Sequence, residues 1–320
     1  TLIGDVGANN KVKDGGNNLE NHLNNVQGTA VIEISDNLTY TPVPSVSNIT
    51  DLTLRAANQT RPVLQLGAEW VIAADANVYA RLRLDGLFLT GGYSVVLKGN
   101  YGEVSIAHCT FDPGGAGTSA TFEKNTKGDD LKPTQVIVQG NVQRLIVTSS
   151  ILGNIKTALG GVIENLEMSD SIVQSVQSDI NAITMTKGNA ELNRCTILGK
   201  TRFHSLYASE VIFYGGIAVD NQQGSCVRFS AWVGPDTLPR TYESVNISPD
   251  TPLFVSTRFG NPHYAHLLRS APREIREGAA DGSEMGAFAS LKNPIKERSL
   301  LIKYDEYMPF GLVPVIIYAT

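Results

Sequence analysis

Apolar and polar residues in the middle of the chain repeat in one frame. Leu82-Arg-Leu84-Asp-Gly-Leu87-Phe-Leu89 reads apolar, any, apolar, any, any, small or apolar, any, apolar. The same frame fits Val104-Ser-Ile106-Ala-His-Cys109-Thr-Phe111, Leu145-Ile-Val147-Thr-Ser-Ser150-Ile-Leu152, Leu166-Glu-Met168-Ser-Asp-Ser171-Ile-Val173 and Ala190-Glu-Leu192-Asn-Arg-Cys195-Thr-Ile197. Weaker copies stand at Ile32-Glu-Ile34 and Leu52-Thr-Leu54, and another ends at Ser209-Glu-Val211. Alternation over a few residues predicts a short strand with one buried face, and the break before the small residue turns the chain a corner. Aligned on that position, the column reads Asn37, Ala57, Leu87, Cys109, Ser150, Ser171, Cys195, Ser209. Most steps are about 20 to 30 residues, a repeat period. The longer gap from Cys109 to Ser150 predicts one degenerate copy, with its strand in "TQVIVQG" (Thr134 to Gly140).

One such repeat cannot bury its apolar side alone, whereas stacked repeats share a continuous core. The expected fold class is therefore all-β: a right-handed single-stranded parallel β-helix, a solenoid, with a C-terminal cap and tail. In "LRLDGLFLTGG" and "VSIAHCTFDPGG" the chain resembles the parallel β-helix proteins of the pectate-lyase-like superfamily, over roughly 31–217. Its segment from "PLF" to "MGAF" is similar to the closing segment of bacterial β-helix proteins. The resulting organisation is 1–30 as N-terminal cap or linker, 31–217 as the β-helix, 218–291 as last coils and closing cap, and 292–320 as tail. In "EGAADGSEMGAF" (277–288), Gly278, Gly282 and Gly286 are expected to supply positive φ at turns, with Met285 and Phe288 plugging the open end. In the tail, alternation at Val313, Val315 and Ile317 suggests a strand with one buried face, laid on the flank of its own β-helix or added to a neighbouring subunit as an assembly strand.

Composition narrows the partners. The formal net charge is −5, which argues against nucleic acid, whose phosphates need clustered Lys and Arg. No apolar run reaches the roughly 20 residues of a membrane-spanning helix. The three cysteines, Cys109, Cys195 and Cys226, lack zinc or CxxC spacing and read as buried thiols; Cys109 and Cys195 are expected to remain unbonded.

Chemistry is sparse. The polygalacturonase-like members of the superfamily carry Asn-Thr-Asp, Asp-Asp, Gly-His-Gly and Arg-Ile-Lys segments. Only "GDD" at Gly128 to Asp130 echoes them, inside a polar stretch that reads as a loop. The frame alignment supplies the stronger candidates. Stacking about 4.8 Å apart sets Glu167 beside Glu191 and Asp170 beside Arg194, with Ser205 and Ala208 as the next neighbours in their columns. Two carboxylates so close could share a proton or bind calcium, and the spacing permits a retaining glycosidase pair; an Asp–Arg ladder flanked by Glu is equally ordinary surface. His108, the pair His263 and His266, and the acids Asp281 and Glu284 read as surface or structural residues.

The reading that follows is a non-enzymatic structural or recognition module of a larger surface or phage-tail-like assembly, placed outside the cell or on a particle. Its partners are other protein subunits or a surface polysaccharide. The alternative is a polysaccharide lyase or glycoside hydrolase acting on an acidic polysaccharide through Glu167, Glu191, Asp170 and Arg194. No cofactor is implied, with calcium left open.

Overall fold

A computed structural model describes residues 11–114, 133–175, 180–234 and 237–312. The protein is largely all-β, and every strand pairing in its two sheets is parallel. The frame copies lie side by side in register: Leu82 pairs with Val104, Val104 with Leu145, Leu145 with Leu166, and Leu166 with Ala190. All five are buried. A parallel file of Leu84, Ile106, Val147, Met168 and Leu192 runs two residues on and is buried as well. These files are the core.

Three rows of strands surround it. The front row contains Gly28–Ile34, Val46–Ala56, Ala80–Asp85, Asn100–Ala107, Asn141–Thr148, Val162–Ser169, Ile183–Asn193, Thr201–Ser209, Cys226–Arg228 and Arg240–Tyr242. A side row contains Trp70–Ala74, Val95–Lys98, Val136–Val138 and Ile155–Thr157. The third row is a separate ten-stranded flank sheet running from Thr39–Tyr40 to Val245–Ile247.

The rows correct the expected solenoid. Val46–Ala56 pairs with both Ala80–Asp85 and Trp70–Ala74, and Ile183–Asn193 pairs with both Val162–Ser169 and Ile155–Thr157. Front and side rows therefore close into a ten-strand parallel barrel, where a solenoid β-helix would not close. The cause is local. Both shared strands run for eleven residues and carry a register shift, between Val46 and Ile49 and between Met185 and Asn189. Asn48 (φ 57°) and Gly188 (φ 80°) sit in the left-handed region at those shifts. A bulge of that kind bends a strand without ending it, so one strand serves two rows where a short strand and a corner were expected.

Three further expectations change. Asn100–Ala107 pairs directly with Asn141–Thr148, so the gap between Cys109 and Ser150 holds no extra frame copy; Val136–Val138 belongs to the side row. Ile32 pairs with Leu54 and Asn193 with Ser209, so the weak copies at both ends are displaced by two residues and the small column continues through Ser35 and Val211. Lastly, the closing segment does not plug an open end. Met285 and Ala287, with Phe254, Tyr264 and Ile275, pack in a second apolar cluster against Ile172, Leu198 and Ile212 of the flank sheet.

The termini add helices. Helix α1 (Asn18–Asn24) buries Leu19 and Leu23 in the main core. The short α2 (Arg273–Arg276) belongs to the flank covering, and α3 (Asn293–Tyr307) occupies the first half of the tail. The expected strand at Val313 to Ile317 and the Gly128 to Asp130 loop lie outside the described residues. No helix among the described residues is long and apolar enough to cross a membrane.

Candidate functional site

The front row and the flank sheet meet at a corner where one residue of each frame copy takes the left-handed conformation. These residues are Gly86, His108, Ser149, Asp170, Arg194, Glu210, Phe229 and Glu243, with φ between 46° and 73°. Non-glycine residues are uncommon there, with His and Asp among the better tolerated. The next residue explains why the corner holds. Ser150 Oγ accepts from the Cys109 amide at 3.0 Å, and Ser171 Oγ accepts from the Ser150 amide at 3.1 Å. Ser230 and Ser244 repeat this further on. The small column therefore satisfies buried backbone donors as well as limiting volume. Cys109 and Cys195 are free buried thiols in that column, pushed up to about 12 by burial.

Asp170 and Arg194 are consecutive in the corner file. The Arg194 guanidinium donates from Nε to Oδ1 at 2.7 Å and from Nη2 to Oδ2 at 3.1 Å. Such a fork is geometrically specific. Arg194 has Glu210, not Ala208, as its other corner neighbour, because of the two-residue displacement. Glu210 turns toward the closing segment: its carboxylate accepts from the Ala280 amide at 3.3 Å and its carbonyl from the Gly286 amide at 2.8 Å. Thr196 Oγ1 accepts from the Ala287 amide at 3.0 Å. A Cβ on Gly286 would sit 2.7 Å from that Oγ1. Gly282 and Gly286 have positive φ. Gly278 does not; it is required because a Cβ there would stand 1.8 Å from the Glu274 carbonyl oxygen.

Glu167 and Glu191 are register partners on the outward face of the front row. Their surroundings differ. Arg144 donates to both oxygens of Glu167 at 2.8 Å and approaches Glu103 at 3.7 Å, which in turn approaches Arg83 at 3.7 Å. The Arg144 hydrogen bonds hold the Glu167 carboxyl below the ordinary carboxylate range, against a smaller opposing effect of partial burial. An acid held ionised in this way is poorly suited to donate a proton. Glu191 makes no ion pair among the described residues. The four candidates thus divide into two ion pairs that occupy Glu167, Asp170 and Arg194, and one carboxylate facing a depression.

That depression, of about 530 Å³, is lined by Glu191, Asn193, Tyr207, Ser209, Cys226 and Arg228 among others. One outward file runs Glu167, Glu191, Tyr207, Cys226, Arg240, and the next runs Ser169, Asn193, Ser209, Arg228, Tyr242. Tyr207 and Tyr242 are 51% and 59% exposed. Tyr242 is braced edge-on by Phe229 of the corner file, with centroids 5.6 Å apart. The Arg228 Nε donates to Ser209 Oγ at 3.3 Å. Sequence reasoning missed Tyr207 because the displaced register set Ser205 beside Glu191, and Arg228 and Tyr242 because the frame was followed only as far as Ile217. A retrospective signal was present in "HSLYASE": Leu206 and Ala208 are buried on either side of the exposed Tyr207, so Leu206-Tyr-Ala208 is the frame copy that continues Ala190-Glu-Leu192.

The remaining candidates are structural. His108 Nδ1 is 2.9 Å from Asp85 Oδ1 on the exposed corner. His263 and His266 meet edge to face at 5.7 Å, and His266 stacks on Phe288 at 4.0 Å. Asp281 pairs with Lys292 at 3.2 Å, and buried Glu284 accepts from Asn293 at 3.0 Å. No group of three or more metal-ligating side chains occurs among the described residues. No protein-family model matches the chain, and no curated protein matches it in sequence.

Proposed function

We propose that the protein is a non-enzymatic recognition module of a larger surface or particle assembly, binding an acidic polysaccharide on the front face. One observation carries this reading: the depression beside Glu191 is flanked by two exposed tyrosines and by arginines on adjacent files. A tyrosine ring offers an apolar face to the C–H side of a sugar ring while its hydroxyl remains polar. Arg228 and Arg240 supply forked donors suited to carboxylates along the polymer, and Asn193 and Glu191 can meet sugar hydroxyls. The ion-paired state of Glu167, Asp170 and Arg194 favours binding over acid–base chemistry.

The test is calorimetric titration with acidic and neutral polysaccharides, alongside reducing-end and unsaturated-product assays. Acidic polymers should bind without product formation. The Tyr207→Ala, Tyr242→Ala double change should weaken binding at least about tenfold, equivalent to about 1.4 kcal/mol. Product formation abolished by Glu191→Gln would replace this reading with the enzymatic one. Failure to bind any acidic polymer would refute it.

A further inference from the structure

Charge is unevenly spread along the front-face depression. Taken strand by strand toward the C-terminal end of the front row, the two outward files pass Glu191 and Asn193, then Tyr207 and Ser209, then Cys226 and Arg228, then Arg240 and Tyr242. Glu191, Arg228 and Arg240 are exposed, and none of the three makes an ion pair among the described residues. Arg228 spends only its Nε, on Ser209 Oγ at 3.3 Å. Two other carboxylates, Glu210 and Glu243, stand on the corner file outside both outward files, and Glu210 is engaged by the closing segment.

Neighbouring strands lie about 4.8 Å apart and successive outward positions on a strand about 6.8 Å apart. At the backbone, Glu191 is therefore about 5 Å from Tyr207 and about 14 Å from Arg240, and the two tyrosines are about 12 Å apart. The depression has an anionic end and a cationic end, and each owns one exposed ring: Tyr207 beside Glu191, Tyr242 beside Arg240 and one strand from Arg228. The distance between the tyrosines exceeds the length of one sugar ring, so different rings of a polymer occupy them.

The two ends ask for different rings. A ring over Tyr242 is within reach of two unpaired guanidinium groups, which favour a carboxylate. A carboxylate on the ring over Tyr207 would face Glu191. Like charges about 5 Å apart weaken binding at least about fourfold, the bulk-water limit, whereas the hydroxyl of an uncharged ring can donate to Glu191. The formal net charge of −5 adds to this bias, since carboxylates beyond those that the two arginines hold approach a surface of their own sign.

We infer that the ligand is a sparsely charged heteropolysaccharide, with an acidic ring over Tyr242 between the two arginines and uncharged rings over Tyr207 and Glu191. A polymer with an acid on every ring fits less well, because seating one ring on Tyr242 brings the carboxylate of another close to Glu191. This inference rests on the front-face reading above and adds the charge pattern that the face selects.

The full chain, with a chelator present, is titrated in a calorimeter with two polymers cut to short, equal lengths. One is gellan, whose glucuronates are separated by uncharged rings; the other is polygalacturonate, acidic at every ring. Gellan should bind at least about fourfold more tightly. Glu191→Gln should reduce that preference at least about fourfold by improving polygalacturonate binding. Arg240→Gln should weaken gellan about tenfold, the effect of losing a charge-assisted hydrogen bond. Equal or tighter binding of polygalacturonate, or a preference for gellan that Glu191→Gln leaves unchanged, would overturn the inference while the front-face reading stands. Failure of every acidic polymer to bind would remove the front-face reading and this inference with it.

Discussion

The front row and the flank sheet bury the same core on their inner sides and differ on their outer sides. On the front row, outward positions carry Arg83, Glu103, Arg144 and Glu167, ion-paired across neighbouring strands at the solvent surface, with Glu191 as the next residue in the file. On the flank sheet, Ile172, Leu198 and Ile212 point outward and are as buried as the core. The local sequence records this difference. Front strands alternate, as in Val162–Ser169, whereas Ile172–Gln174 and Thr196–Leu198 are buried at every position. A sheet with one solvated face reads as alternation, and one covered on both faces reads as a continuous apolar run. The flank therefore needs a cover, and residues of the segment from Leu253 to Phe288 provide it.

The sharpest way to break the comparison is to remove equivalent bulk from both outer faces. Ile212→Ala, under the closing segment, should cost about 2–5 kcal/mol, the range for truncating a buried aliphatic side chain to alanine. Ile146→Ala, on the front face and only partly buried, should cost less than about 1 kcal/mol. Chemical denaturation of the two variants checks both. Equal losses would mean that the closing segment does not shield the flank.

Much of the front row could be read from the chain, because its period-two alternation fixes which residues share a face. The five strong frame copies share one register, including Glu167 with Glu191 and the Asp170–Arg194 fork, although the second pairs directly with the third where an intervening copy was expected. The weak copies failed in a characteristic way. A displacement by two residues keeps every side chain on its own face, so Ile32-Glu-Ile34 and Ser209-Glu-Val211 fit equally well at the wrong height, and the tyrosine neighbouring Glu191 was lost. Closure of the barrel depends on bulges at Asn48 and Gly188, two residues that also serve ordinary turns. The position of the closing segment rests on contacts some 70 to 90 residues apart in sequence, such as Glu210 with Ala280 and Thr196 with Ala287. Local periodicity carries no record of those.

A smaller effect sharpens the electrostatic half of the comparison. Asp170 and Arg194 keep side-chain exposures of 21% and 33%, so solvent screens part of their attraction. A double-mutant cycle with Asp170→Ala and Arg194→Ala should give a coupling of about 0.5–1 kcal/mol, towards the upper end for exposed pairs because the geometry is bidentate. The coupling should fall as salt is added. A value above about 2 kcal/mol would show the corner to be more deeply desolvated than its exposure indicates.

The smallest expected effect separates a carboxylate of the covered side from those of the open face by the sign of its pH response. Glu284 is buried beneath the start of α3, and burial raises its carboxyl above the ordinary value of 4.5, with the Asn293 hydrogen bond opposing in part. Glu167 shifts the other way, held low by Arg144. The two therefore respond oppositely to acid. For Glu284, whose folded pKa is raised, the associated stability is fully present below about 4.5 and is lost as the pH rises through the raised value. For Glu167, stability is present above its unfolded value and is lost as the pH falls through the depressed one. Glu284→Gln keeps an oxygen to accept from Asn293 and removes the charge. At neutral pH the variant should melt slightly higher than the parent, by less than about 2 °C for a chain of this size, and the gain should vanish as the pH approaches 4. Glu167→Gln should show the reverse sign, a small loss at neutral pH that shrinks in acid. A Glu284→Gln variant less stable than the parent at neutral pH would show that the ionised carboxylate is itself a tether of α3, with a partner beyond Asn293.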